Sequence, residues 1–196
     1  GATTIDVPPP AGWTPEVAIL FGTGAAAIMG IVVGWLAVRR QGIYFAMVTL
    51  ALSQMVYFIC VQAPFTYAED GIQSIPRGKL LGVIDLSDDT VMYYFVLAIF
   101  VAAFALIHRI IHSPFGQVLK SIRENEPRAL SLGYDVDKYK LMAFVLSAAL
   151  AGLAGATKSL SLGLATLTDV TWQMSGEVVL MTLLGGMGTI LGPVVG

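Results

Sequence analysis

The sequence predicts an all-α fold, a polytopic transmembrane helical bundle with about five spans, and three observations support this prediction. Of the 196 residues, 56% are hydrophobic and only 12% are charged, whereas a soluble domain carries roughly 25% charged residues. The mean hydropathy is +0.78. The apolar residues are gathered in long runs, and an uncharged run of about 20 residues is long enough to cross a bilayer as a helix.

Five runs are predicted to span the membrane within a single domain: residues 17–38, 43–63, 91–107, 141–163 and 177–196. The first and fourth runs carry small residues every four positions, which places them on one helix face where another helix can approach closely. These small residues are Gly22, Ala26, Gly30 and Gly34 in the first run and Ala148, Gly152 and Ala156 in the fourth.

The second and last runs contain candidates for a transport pathway. Thr49 and Gln54 in the second run either line a pathway or hydrogen-bond a neighbouring helix. The last run is rich in glycine, including Gly185, Gly186 and Gly188. This composition predicts close helix contacts, a broken helix or a re-entrant turn near a pathway.

The distribution of basic residues predicts the orientation of the bundle. Residues 39–40 and 108–140 together hold eight Lys and Arg, whereas residues 64–90 hold two. Because cytoplasmic loops are enriched in Lys and Arg, residues 108–140 are expected to form a cytoplasmic loop and residues 64–90 an external one.

Residues 113–133 (SPFGQVLKSIRENEPRALSLG) form the longest strongly polar segment and contain two short amphipathic pieces. In the first piece, Val118, Leu119 and Ile122 are apolar at helical spacing. The second is predicted to begin at Pro127 and end at Gly133, with a break at Glu126. A helix this short is not stable alone in water. The segment is therefore either a solvated loop or a unit that packs on the membrane domain or on a partner.

The motifs of several enzyme and cofactor sites are absent or incomplete. Residues 152–159 (GLAGATKS) resemble a phosphate-binding loop, but Thr157 stands where that motif requires glycine before the lysine. His108 and His112 are four residues apart without an evident third metal ligand. Cys60 is the single cysteine, so no intrachain disulfide can form. We therefore expect a protein that is not an enzyme, that binds no cofactor or metal, and that has no nucleic-acid partner.

Lys158 lies near the predicted outer end of the fourth run. It either snorkels to the interface or places a positive charge at an outer mouth. In the second case it could pair with Asp169 or Glu177, or meet the carboxylate of a substrate.

Several stretches together resemble the LivM-type permease subunits of branched-chain amino acid ABC transporters, over about residues 34–196. They are residues 42–51 (GIYFAMVTLA), 69–72 (EDGI), 113–116 (SPFG), 122–129 (IRENEPRA), 132–134 (LGY), 140–144 (KLMAF) and 176–189 (GEVVLMTLLGGMGT). Relative to that family, initial spans and the C-terminal end are expected to be missing, so that the chain would be a fragment of a longer permease.

The resemblance implies one membrane subunit of an ATP-driven importer for branched-chain, small apolar amino acids in the bacterial inner membrane. Its partners would be a second homologous permease, two cytoplasmic ATP-binding subunits, an external substrate-binding protein and membrane lipid. The loop at 108–140 would couple to the ATPases. The residues implied at that contact are Arg123, Glu124, Asn125, Glu126, Ala129 and Gly133.

Two rival interpretations stay open at this point. An ABC permease for urea or short amides would look similar over the same motifs, and Lys158 favours a substrate that carries a carboxylate. An ion-coupled secondary transporter usually binds its coupling ion at a carboxylate deep in a span. The predicted spans contain no such residue.

Overall fold

The computed structural model describes residues 14–63, 72–73, 79–80 and 83–196, and most of these residues are helical. The long helices are α1 (Pro15–Ala37), α2 (Ile43–Gln62), α3 (Asp89–Ile111) and α6 (Val136–Leu162). The shorter helices are α4 (Pro114–Glu124), α5 (Glu126–Ser131), α7 (Trp172–Gly185) and α8 (Gly192–Val195), and a 3-10 helix covers Leu167–Val170. The all-α prediction is confirmed.

Among the described residues, four helices rather than five are long and apolar enough to cross a membrane, namely α1, α2, α3 and α6. They correspond to the first four predicted spans. The fifth predicted span, residues 177–196, is divided into α7 and α8 because the chain leaves the helix at Gly186, whose φ is +105°. The glycine-rich composition of this run thus produces a broken helix, which was one of the three predicted outcomes.

The turn between α7 and α8 depends on close backbone approach. A Cβ at Gly185 or at Gly192 would collide with a backbone carbonyl of the other piece. The Thr189 hydroxyl donates a hydrogen bond to the Gly186 carbonyl at 3.1 Å and closes the turn. Glycine is therefore required here so that α8 can lie against the end of α7.

The main helix packing joins α1 to α6 in antiparallel orientation. Gly22 lies against Ala156, Ala26 against Gly152, and Gly30 against Ala148, while Gly34 meets the ring of Phe144. An added Cβ at Gly30 would be 2.6 Å from the Cβ of Ala148. The two small-residue stripes predicted from the sequence are therefore confirmed, and they pack on each other.

Two apolar clusters lie at opposite ends of this helix pair. One contains Ile19, Leu86, Met92 and Leu160, where the ends of α1, α3 and α6 meet the turn before α3. The other contains Ile122, Ala129 and Val136 from α4, α5 and the start of α6, with Val118 and Tyr139 packed on it.

Short strands connect the segments at the first of these ends. β1 (Ile72–Gln73) pairs antiparallel with β4 (Leu164–Ala165), and β2 (Lys79–Leu80) pairs with β3 (Ile84–Asp85). β1, which lies between α2 and α3 in the chain, is therefore at the same end as the segment that follows α6. This arrangement agrees with the predicted external side, while the orientation in the membrane stays a prediction.

Candidate functional site

The first turn of α4 is built by the four residues of the SPFG motif. The Ser113 hydroxyl accepts a hydrogen bond from the Gly116 amide and donates one to the Ile110 carbonyl at 2.5 Å. Pro114 occupies the first turn, where its missing N–H is not needed. Phe115 stacks on Tyr139 with ring centroids 5.6 Å apart. Gly116 is buried against the carbonyls at the end of α3, where a Cβ would collide. The motif therefore fixes α4 to α3 and α6.

Asn125 forms the break between α4 and α5. Its backbone is extended, with φ −157° and ψ 93°, and its amide donates to the Ser121 carbonyl at 2.9 Å. Its side-chain oxygen accepts from the Arg128 amide at 3.2 Å, which caps α5. The predicted break at Glu126 is therefore wrong by one residue. Asparagine is a strong N-cap, so Glu126 enters the first turn of the helix despite the proline that follows it.

Gly133 ends α5 with a Schellman motif. Its φ is +88°, and its amide donates to the Leu130 carbonyl at 3.0 Å. The Tyr134 amide donates to the Ala129 carbonyl at 3.2 Å. Both hydrogen bonds require a left-handed residue at this position, which glycine adopts without steric cost.

We expect Gly133→Val to destabilise the end of α5, because a β-branched residue is strained at this φ by about 1–2 kcal/mol. The matched control is Gly133→Asn, since asparagine tolerates the left-handed conformation. Nothing lies within 4 Å of a Cβ at this position, so only the backbone conformation distinguishes the two variants. Hydrogen exchange of the α5 amides should be about tenfold faster in the valine variant. Equal protection in the two variants would contradict this account of Gly133.

Glu126 connects α5 to two other elements. Its Oε1 accepts a hydrogen bond from Gln41 Nε2 at 3.0 Å, in the turn between α1 and α2. The same oxygen forms an ion pair with Lys140 Nζ of α6 at 2.9 Å. The side chains of Glu126 and Lys140 are 28% and 29% exposed. One carboxylate therefore joins the α4–α5 unit (residues 113–133) to the turn after α1 and to the start of α6, at one end of the antiparallel α1–α6 helix pair.

The candidate coupling residues divide into buried and exposed groups. Ala129 is only 2% exposed and lies in the core of the unit. Arg123, Glu124 and Asn125 are exposed at the end of α4. The most exposed apolar residues of the unit are Leu130 at 56% and Leu132 at 67%. They leave an apolar surface on α5 that the unit itself does not cover.

The start of α6 is stabilised by Asp135. Its side chain accepts a hydrogen bond from the Lys138 amide at 3.4 Å and forms an ion pair with Lys138 Nζ at 2.9 Å. The hydrogen bond from the Lys138 side chain holds the pKa of the Asp135 carboxyl below its usual value. A negative charge at this position also interacts favourably with the N-terminal end of the α6 dipole.

Lys158 lies near the opposite end of α6 and is paired, as one of the sequence alternatives proposed, with Asp169. The distance from Lys158 Nζ to Asp169 Oδ1 is 2.6 Å. Asp169 belongs to the 3-10 helix that follows β4. Lys158 also lines an open cavity of about 420 Å³ between α3 and α6, together with Thr157 and Ser161.

The other pathway candidates do not line this cavity. The Thr49 hydroxyl donates to the Phe45 carbonyl within α2 at 2.8 Å. Gln54 is half-buried on the same helix. Gly185 and Gly186 shape the turn after α7, whereas an added Cβ at Gly188 would meet nothing within 4 Å. Their role in a pathway stays a prediction.

Sequence reasoning missed two partners that the structure brings to the coupling loop. Gln41 and Lys140 both bind Glu126, although they lie 85 and 14 residues away from it in the chain. No local pattern signals such contacts. The stacking of Phe115 on Tyr139 was also missed, although each of these aromatic residues lies close in sequence to a predicted helix end.

Comparison with known proteins identifies similar chains. The family model described as the branched-chain amino acid transport system / permease component matches residues 5–196. The chain is 30% identical over 187 residues to the high-affinity branched-chain amino acid transport system permease protein LivM of Escherichia coli, an alignment that covers 84% of this chain and 44% of that protein. The Salmonella typhimurium protein of the same name is 29% identical with the same coverage.

A more distant relative is the probable branched-chain amino acid transport permease protein LivM of Methanocaldococcus jannaschii. It is 27% identical over 184 residues, which cover 87% of this chain and 51% of that protein. The chain thus spans about half the length of the curated relatives it matches. No solved structure matches it.

Proposed function

The chain belongs to the family of branched-chain amino acid transport permease components, and from this premise we propose that it is a membrane-spanning subunit of an ATP-driven importer. The proposed substrates are branched-chain, small apolar amino acids. The chain supplies no catalytic group in this proposal, and ATP hydrolysis takes place on two cytoplasmic partner subunits. A second homologous permease and an external substrate-binding protein complete the transporter in a bacterial inner membrane.

The observation that best supports coupling is the construction of the α4–α5 unit. It has its own buried residues, Ile122 and Ala129, and two helix ends fixed by Asn125 and Gly133. A separate short unit that leaves Leu130 and Leu132 exposed has the character of a docking surface, because clustered exposed apolar residues mark interaction sites.

The charges around this surface favour a protein partner with acidic groups. Arg123 and Arg128 are exposed on the same α4–α5 unit as the two leucines, and arginine is enriched at protein interfaces. We therefore propose that an ATP-binding subunit docks on α5, with an apolar contact at Leu130 and Leu132 and polar contacts at the arginines.

Glu126 provides the connection through which motion of the docked unit can reach the membrane helices. Its carboxylate binds Gln41 between α1 and α2 and Lys140 on α6. A shift of the unit changes these contacts with both elements at one end of the α1–α6 pair. In the proposed mechanism, the two positions of the ATPases favour two arrangements of these helices, outward-facing and inward-facing, which is the differential interaction that coupling requires.

Two alternative functions are distinguishable from this one. A permease for urea or short amides would share the coupling unit but carry a neutral substrate. An ion-coupled secondary transporter would use acidic residues inside the spans. Among the four long helices, α1, α3 and α6 each carry an acidic residue in the first turn, namely Glu16, Asp89 and Asp137. The first turn of α2 carries no acidic residue. This distribution does not favour ion coupling.

The test is uptake of labelled leucine in cells that lack their own carrier and produce the complete transporter containing this chain. We expect leucine uptake that is competed by isoleucine and valine and is lost when the ATP-binding partners are inactivated. Uptake of urea instead would change the substrate class. Leucine uptake that persists without a functional ATPase would contradict the ATP-driven mechanism.

A further inference from the structure

The cavity between α3 and α6 combines apolar walls with a charged end. Val96, Ile99 and Phe100 of α3 face Leu150 and Leu153 of α6 across it. Its volume of about 420 Å³ falls within the usual range for small-molecule sites, which are mostly apolar with a few polar groups that fix orientation.

The charged end is Lys158, which lines the cavity and forms an ion pair with Asp169, a residue just outside the lining. The two side chains are 45% and 31% exposed, so the rest of the chain does not enclose the pair. An exposed ion pair contributes little to stability, because water and salt screen it. Either group can therefore exchange its partner for a ligand of the right charge at small cost.

We infer that this ion pair and the cavity form a subsite for an α-amino acid with a branched apolar side chain, an inference that rests on the proposed function. Near neutral pH such a molecule carries a carboxylate and an ammonium group on adjacent positions. Lys158 binds the carboxylate and Asp169 binds the ammonium, so that one internal ion pair is replaced by two intermolecular ones. The side chain enters the apolar cavity.

This arrangement predicts a preference for zwitterions with apolar side chains. Urea has no charges to replace the ion pair and no apolar group to fill the cavity. An amine or a carboxylic acid alone satisfies one of the two charged groups and leaves the other without its partner. The loss of one methylene from the side chain is expected to weaken recognition by about 10- to 200-fold, as in other apolar pockets.

The inference is tested by ligand protection of a cysteine in the cavity. Ser161→Cys places a thiol beside Lys158 and leaves both charged groups in place. The complete transporter is reconstituted without ATP, and an impermeant thiol reagent is added outside. The unmodified protein, which retains the half-buried Cys60, gives the background. The matched control is Leu164→Cys, an exposed position at the same end that does not line the cavity.

We expect leucine to slow the labelling of Ser161→Cys by at least tenfold and to leave that of Leu164→Cys unchanged. 3-Methylbutylamine and 4-methylpentanoate, which each lack one charged group of leucine, should protect much less. Protection by leucine should be lost in Lys158→Gln and in Asp169→Asn. It should remain lost in the exchanged variant Lys158→Asp/Asp169→Lys, because that variant restores the link between α6 and the 3-10 helix but reverses the charges.

Five outcomes would overturn the inference. Leucine uptake without leucine protection leaves the proposed function standing and removes this subsite. Protection that survives in Lys158→Gln, or returns in the exchanged variant, shows that the pair is only a structural link. If the thiol is labelled only after lipid has been extracted, whether or not leucine is present, then a lipid chain occupies the cavity. Protection by urea, together with urea uptake, would instead show that the proposed substrate class itself is wrong.

Discussion

Gly30→Leu is expected to abolish the assembled protein, because it separates the two helices that form the centre of the fold. A Cβ added at Gly30 would lie 2.6 Å from the Cβ of Ala148 and 3.5 Å from the Cα of Val145. A leucine side chain therefore cannot be accommodated by rotamer changes alone. Overpacking of this kind costs about 1–3 kcal/mol where the backbone can adjust, and here the backbone of α6 itself is in contact.

The measurement is the yield of monodisperse complete transporter after extraction in a mild detergent. The matched control is Gly24→Leu on the same helix, because nothing lies within 4 Å of a Cβ at Gly24. Gly155→Leu serves as the equivalent control on α6. We expect both controls to be recovered in near-normal amounts. Recovery of Gly30→Leu at the level of the controls would show that α1 and α6 do not pack in this register.

The second large effect is expected for Glu126→Lys, which should separate ATP hydrolysis from transport. The substitution removes the acceptor of Gln41 and places a positive charge beside Lys140. The loss of hydrogen bonds to a charged group costs about 1.5–3 kcal/mol. We therefore expect leucine uptake to fall by at least tenfold, while membrane insertion and ATP hydrolysis by the partner subunits continue.

The control for Glu126→Lys is Glu124→Lys, an exposed residue on α4 for which the described part of the chain offers no ion-pair partner. The exchange Glu126→Lys/Lys140→Glu provides the stricter test, because it restores the ion pair with reversed charges. Recovery of uptake in the double variant, beyond the sum of the single effects, measures the interaction between the two residues. Unchanged uptake in Glu126→Lys would show that this link does not transmit the motion.

The parts of the fold that depend on local patterns could be predicted from the sequence. Apolar runs long enough to cross a bilayer locate α1, α2, α3 and α6, because such runs are uncommon outside membrane helices. The spacing of Gly22, Gly30 and their neighbours predicts a packing face, since every fourth residue shares one side of a helix. The two pieces at 113–133 follow from the amphipathic pattern of α4 and the glycine after α5.

The remaining features depend on which segments meet, and no local pattern determines this. The sequence predicts two small-residue faces but not that α1 and α6 pair with each other. Glu126 was recognised as a candidate coupling residue, but its contacts with Gln41 and Lys140 arise only when three segments come together. The ion pair of Lys158 was one of three alternatives, and the fold selects Asp169 because β4 and the 3-10 helix bring it back over the end of α6.

The pairing of the first long helix with the fourth has a consequence for biogenesis. Roughly 100 residues separate the end of α1 at Ala37 from the start of α6 at Val136, and their synthesis takes about 5–20 s at ordinary rates. Throughout this interval α1 stands in the lipid without its partner. Its glycine-lined face is then open to any other helix with small residues. Correct insertion of the chain therefore requires that α1 remain unpaired, or only loosely associated, until α6 has left the ribosome.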